Sequence, residues 1–105
     1  MKKDPNGECD FCSSPDVRYA YPARDFIIKT PSEIPDWGSA GGWAACPPCH
    51  ALIQRGDRDR LARRSAKRMA KTYDISLRAA LAAVRRAQDD FWANREGAPE
   101  PIELT

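Results

Sequence analysis

The residues whose types and spacing can do chemistry are four cysteines, the only ones in the 105-residue chain, set as Cys9-Asp10-Phe11-Cys12 and Cys46-Pro47-Pro48-Cys49. Thirty-three residues separate the two pairs. A two-residue gap lets both thiolates of a pair turn onto one ion, and two such hooks complete a tetrahedral four-sulfur set. Zinc is the expected metal; iron accepts the same donors but asks for a redox rationale. Four thiolates leave no open coordination position, so the reading is one structural Zn²⁺ held by Cys9, Cys12, Cys46 and Cys49.

Two other uses of the thiols compete. Trp43-Ala44-Ala45 before Cys46-Pro47-Pro48-Cys49 has the strand, C-x2-C, helix order of thioredoxin-like proteins, but the rest of the chain lacks the alternating strands and helices of that fold. Two disulfides would suit a secreted chain. The polar start Met1-Lys2-Lys3-Asp4-Pro5 reads as no signal peptide, and no run is long enough to cross a bilayer. The expected address is the cytoplasm, where thiols stay reduced.

The elements that must position these sulfurs change character halfway. Seven of nine prolines and six of nine aromatics precede residue 50; after it the chain is rich in Ala, Arg and Leu, good helix formers. Before that boundary, Val17, Tyr19 and Tyr21 alternate as a short strand, residues 26–28 form a second apolar run and residues 43–45 a third, with a loop over 30–42. Pro47 and Pro48 suit a helix start, giving a helix over 48–55 closed by Gly56. Asp57 or Asp59 can cap a second helix to about residue 71, and Asp74 or Ser76 a third to about residue 94. The fold class is α+β: a treble-clef-like zinc module over 1–56, a basic helical hairpin over 57–96, and a flexible tail over 97–105.

Charge is concentrated. The formal net charge is +2, yet residues 55–71 carry eight basic and two acidic side chains. On a helical wheel Arg60, Arg63, Arg64, Lys67, Arg68 and Lys71 share an arc of about 140°, opposite Leu61, Ala62, Ala66, Met69 and Tyr73. One reading is a solvated face; the other is a surface for nucleic-acid phosphate or an acidic protein partner. On the third helix Leu77, Leu81, Val84, Gln88 and Phe91 form the stripe that would pack against the second. Trp43 is expected in the core and Trp37 exposed. Trp37, Trp92 or the basic face would serve a protein partner.

Gly41-Gly42-Trp43-Ala44-Ala45-Cys46-Pro47-Pro48-Cys49-His50 resembles the C-terminal part of zinc-bearing HNH endonucleases. There a Gly-Gly loop leads through a strand to C-x2-C-H, and the histidine binds a catalytic metal. The resemblance also implies an upstream Asp-His step whose histidine is the general base. This chain has Asp25-Phe26, no Asn between residues 7 and 93, and His50 as its single histidine. Without a base to activate water, the expectation is a non-enzymatic protein, with His50 a packing residue. The two cysteine pairs, the Tyr19-to-Phe26 stretch and the Gly-Gly-Trp lead-in also resemble small zinc-binding proteins of actinobacteria and their phages. The functional expectation is a nucleic-acid-binding regulator, with an interaction adaptor as the alternative and a degenerate HNH nuclease as the lesser one.

Overall fold

The computed structural model describes residues 7–28, 37–39 and 42–102, with the backbone alone described at 28 and 37–39. In chain order the elements are β1 (Tyr19–Tyr21), β2 (Phe26–Ile28), β3 (Trp37–Ser39), β4 (Trp43–Ala45), α1 (Pro47–Gln54), α2 (Arg58–Tyr73), α3 (Leu77–Asn94) and β5 (Glu100–Pro101). The class is α+β, with a knuckle, a short antiparallel sheet and α1 arranged as a treble clef and α2 and α3 as a helical hairpin.

The strands before residue 46 form two antiparallel pairs in separate sheets. β1 pairs with β4 from Tyr19↔Ala45 to Tyr21↔Trp43, and β2 pairs with β3 from Phe26↔Ser39 to Ile28↔Trp37, both antiparallel. The expected loop over 30–42 is therefore too long: residues 37–39 are a strand, because pairing with β2 overrides the poor strand propensity of Gly38 and Ser39. The remainder of that loop, Gly41 and the Trp37 side chain lie outside the described residues.

The tail also departs from expectation. After α3 the backbone returns along the first strand: Arg24 N–H donates to the Asn94 carbonyl at 2.8 Å and Glu96 N–H to that of Pro22 at 2.7 Å. β5 then pairs with β1, making the order β4-β1-β5, and Ile102 N–H donates to the Arg18 carbonyl at 2.9 Å. Pro99 precedes β5 and Pro101 ends it. An edge strand tolerates prolines, since only its inward-facing groups join the ladder.

Helix boundaries follow local chemistry. α1 ends in a Schellman turn: Gly56, at φ 68°, donates its N–H to the Ile53 carbonyl, and Asp57 N–H reaches that of Leu52. Asp57 then caps α2 by accepting from Arg60 N–H at 3.2 Å. Asp74 ends α2 in the left-handed region, at φ 52° and ψ 51°, and Ser76 caps α3 by accepting from Ala79 N–H at 3.1 Å.

Between α2 and α3, Ala62, Ala66, Ala80 and Val84 form a small core of close-approaching side chains. The larger core joins Phe11, Val17, Tyr21 and Trp43 to the cysteines, Ile53, Leu61 and Phe91. Phe91 is fully buried, with its ring 5.0 Å from Phe11 and 5.1 Å from Trp43. The helical hairpin thus inserts its own side chains into the core that surrounds the sulfurs.

Candidate metal centre

The first cysteine pair rides on a turn tied at both ends. Cys9 N–H donates to the Ser14 carbonyl at 2.7 Å and Ser13 N–H to the Cys9 carbonyl at 2.8 Å, with Ser13 at φ 66°. Asp10 anchors this knuckle to β4. Its N–H donates to the Ala44 carbonyl at 2.9 Å, and its carboxylate accepts from Ala44 N–H at 2.6 Å. One residue past Ala45, Cys46 is the N-cap of α1, and Cys49 lies in the first helical turn. One short strand therefore fixes both hooks relative to each other.

The four sulfurs lie within 4.8 Å of one another, and all four cysteines are buried. Cys12 Sγ and Cys46 Sγ are 3.5 Å apart, far beyond a disulfide bond of about 2.05 Å. A tetrahedral ion with metal–sulfur bonds of about 2.3 Å requires sulfur–sulfur edges of roughly 3.8 Å. The quartet fits one metal ion of that kind. As bare thiols the sulfurs compete for protons: hydrogen bonds from Cys49 and Cys9 hold Cys12 far below the ordinary thiol range. The same sharing with Cys12 pushes Cys9 up to about 12 and Cys49 higher still. A dication supplies the charge that lets all four bind as thiolates.

A helix N-terminus normally offers amide hydrogens to a capping thiolate. Here Pro47 and Pro48 remove the first two, and the Cys46 side chain makes no capping hydrogen bond. The donors come from α2 instead. Arg64 Nε lies 3.4 Å from Cys49 Sγ, and its Nη2 lies 3.8 Å from Cys46 Sγ. Burial works against the Arg64 charge, but hydrogen bonds to Cys49 and Cys46 together with the charges of Cys12 and Cys49 more than offset it, so the guanidinium's pKa rises above its usual value.

His50 sits beside the centre with its ring engaged. Tyr19 stacks on it at 3.6 Å between centroids and 10° between planes. Gln54 Nε2 donates to the Tyr21 oxygen at 3.0 Å, and the Tyr21 hydroxyl and His50 Nδ1 share a hydrogen bond 2.6 Å long. Burial holds the His50 pKa below its ordinary value. The imidazole is a neutral packing and hydrogen-bonding group.

Five of the six residues expected to face phosphate gather over the metal centre. Arg60, Arg63, Arg64, Lys67 and Arg68 line one side of an open basin of about 730 Å³. Cys12, Ser14 and Pro15 of the knuckle line the other. Lys71 lies one turn further along α2 and is not part of it. Arg60 pairs with Asp57 at 3.5 Å and Arg63 with Asp59 at 3.1 Å, while Arg64 is turned to the sulfurs. Lys67 and Arg68 are exposed and have no acidic partner among the described residues. Neither the anchoring role of Asp10 nor the inward turn of Arg64 has a signal in residue spacing. Fourteen residues lie between Cys49 and Arg64, and the Schellman turn brings the two together.

Fold and centre define a small protein of treble-clef-like architecture whose four clustered cysteines are placed to hold one metal ion. No protein-family model, curated protein sequence or solved structure matches the chain. The likeness to zinc-bearing HNH endonucleases and to small actinobacterial proteins thus rests on the quoted motifs alone. No helix among the described residues is long and apolar enough to cross a membrane.

Proposed function

We propose that the ion is zinc and that the protein is a non-enzymatic nucleic-acid-binding protein, acting as a regulator, that grips phosphate with the outward face of α2. The observation that carries this reading is the basin, where five cations of one helix converge beside the metal centre. From Arg60 to Arg68 the helix advances about 12 Å. Duplex nucleic acid presents one charge per roughly 1.7 Å of its axis, so a polyanion matches this run better than a single small acid. The engaged Nδ1 of His50 and the Asp25-Phe26 step favour binding without hydrolysis.

Equilibrium binding of labelled single-stranded and duplex oligonucleotides across a salt series tests the reading. Binding is expected to weaken with a log–log slope of about −0.9 per duplex phosphate contacted. The combined variant Arg60→Glu, Arg63→Glu, Lys67→Glu, Arg68→Glu is expected to abolish it while retaining metal. Arg64 is left intact because it serves the sulfurs. Unchanged binding by the reversed helix would contradict the proposal.

An adaptor for a protein partner is the second reading, favoured by one observation. Tyr73, Ile75 and Leu77 at the α2–α3 turn are 63, 41 and 47% exposed, an apolar tip away from the basin. Trp92 is the poorer candidate, being half-buried beneath Arg58, whose guanidinium lies 4.7 Å from its ring. Capture of one defined protein that survives nuclease treatment and is lost with Tyr73→Ser and Leu77→Ser would favour the adaptor.

A further inference from the structure

The basin has two walls of different character, and the metal centre joins them. One wall is α2, whose residues 60, 63, 64, 67 and 68 recur at helical spacing so that their charged ends converge. The other is the knuckle after Cys12, held by the Cys9 and Ser13 backbone bonds and by the sulfur itself. Arg64 crosses between them, its guanidinium on Cys49 and Cys46. A four-thiolate site around a dication keeps roughly two negative charges, which Arg64 partly answers. Lys67 and Arg68 stand over the basin with no acidic side-chain partner among the described residues.

Ser14 adds a neutral donor to the same space. Its Oγ accepts from Asp16 N–H at 3.3 Å, which leaves the hydroxyl proton free to donate. Two unpaired cations, a hydroxyl donor and an open mouth make the donor set that tetrahedral oxyanions take.

We infer that this basin is a seat for one phosphate group, bound between Lys67 and Arg68 of α2 and Ser14 of the knuckle. This deepens the nucleic-acid reading and rests on it for the source of the phosphate, a backbone phosphodiester. It places the bound strand over the knuckle end of α2, and it makes a residue of the metal module part of the contact. Lys71, on the same helix face but outside the basin, takes no part in the seat.

The test uses the full metal-loaded chain, with metal content checked for each variant. Lys67→Gln, Arg68→Gln, Ser14→Ala and Lys71→Gln are compared by oligonucleotide binding across a salt series and by amide chemical-shift titration with inorganic phosphate. Lys67→Gln and Arg68→Gln are each expected to reduce the magnitude of the log–log salt slope by about 0.7–0.9. Ser14→Ala is expected to weaken binding several-fold with no change in slope, and Lys71→Gln to weaken it less than Lys67→Gln does. Inorganic phosphate should shift the amides of Ser14 and Lys67 in the parent chain and not in Lys67→Gln. Oligonucleotide binding that Lys71→Gln weakens as much as Lys67→Gln, with Ser14→Ala inert, would overturn the seat and leave the nucleic-acid reading standing. Phosphate shifts at Ser14 and Lys67 without any oligonucleotide binding would uphold the seat and overturn the nucleic-acid reading. Neither response would overturn both.

Discussion

At the scale of single residues, Arg64 carries more of this structure than its place in a run of basic residues implies. Its guanidinium supplies the donors that Pro47 and Pro48 withhold from the sulfurs, and its backbone belongs to the helix that presents the basic face. Groups that hydrogen-bond metal ligands raise metal affinity by about 10–100-fold. Arg64→Gln is therefore expected to weaken metal retention by that order, measured by competition with a chromophoric chelator, while the fold stays intact under excess metal. Equal retention by the variant would show that the contact is incidental. The gathering of the four cysteines was legible from spacing alone, because a C-x2-C hook is a local geometric requirement. Arg64 was legible only as a charge, since what it touches is decided by how α1 and α2 meet at Gly56 and Asp57.

At the scale of elements, α2 and α3 are joined by small residues and one buried polar pair. Gln88 Nε2 donates to Ser65 Oγ at 2.7 Å, Ser65 Oγ donates to the Leu61 carbonyl at 3.0 Å, and Gln88 Oε1 is buried without a partner. Ser65→Ala orphans the rest of the amide and is expected to cost about 1–3 kcal/mol. Adding Gln88→Leu removes the buried polar group altogether and should recover most of that loss in chemical denaturation; a double variant as weak as the single one would refute the pairing. On the surface, Asp59 of α2 receives Arg85 of α3 at 2.6 Å and Arg63 at 3.1 Å. The Arg85 hydrogen bond first, and then the Arg63 charge, hold its carboxyl below the usual 3.8. A depressed folded-state pKa stabilises the protein above the unfolded value, and that contribution is lost as pH falls through the folded one. The stability difference between the parent and Asp59→Asn should be small, constant above about pH 5, and vanish under stronger acid. A difference that grows on acidification would contradict the pairing.

The helices and their caps were the readable elements, because the hydrophobic period and the residues Asp57, Ser76 and Gly56 act locally. The outer end of the apolar stripe was misleading. Tyr73 and Leu77 fit the wheel yet are exposed, since the hairpin turn at Asp74 carries both past the end of the opposing helix. β3 and β5 were hidden for another reason: Trp37–Ser39 and Glu100–Pro101 are strands through their partners, and a partner distant in sequence leaves no periodic trace.

At the scale of the whole molecule, one core serves both halves. Phe91 and Leu61 of the hairpin share it with Phe11, Trp43 and the four cysteines, and the residues after α3 close the sheet along β1. Division into a metal module and a helical appendage describes the sequence better than the packing. A structural zinc site contributes about 10–16 kcal/mol of apparent binding energy in small peptides, comparable to the whole stability of a domain this size. Chelation should therefore melt the far-ultraviolet helical signal together with the tryptophan signal in one transition, whereas helices that survive a disordered centre would separate the two halves. Binding also displaces thiol protons, so metal release should become easier as pH falls.

The claim beneath all of this is that one metal ion, held by Cys9, Cys12, Cys46 and Cys49, builds the protein. Elemental analysis of chain purified without added metal, paired with native mass spectrometry, tests it most directly. One zinc per chain with four reduced thiols is the expected result; metal-free chain carrying two disulfides would contradict it.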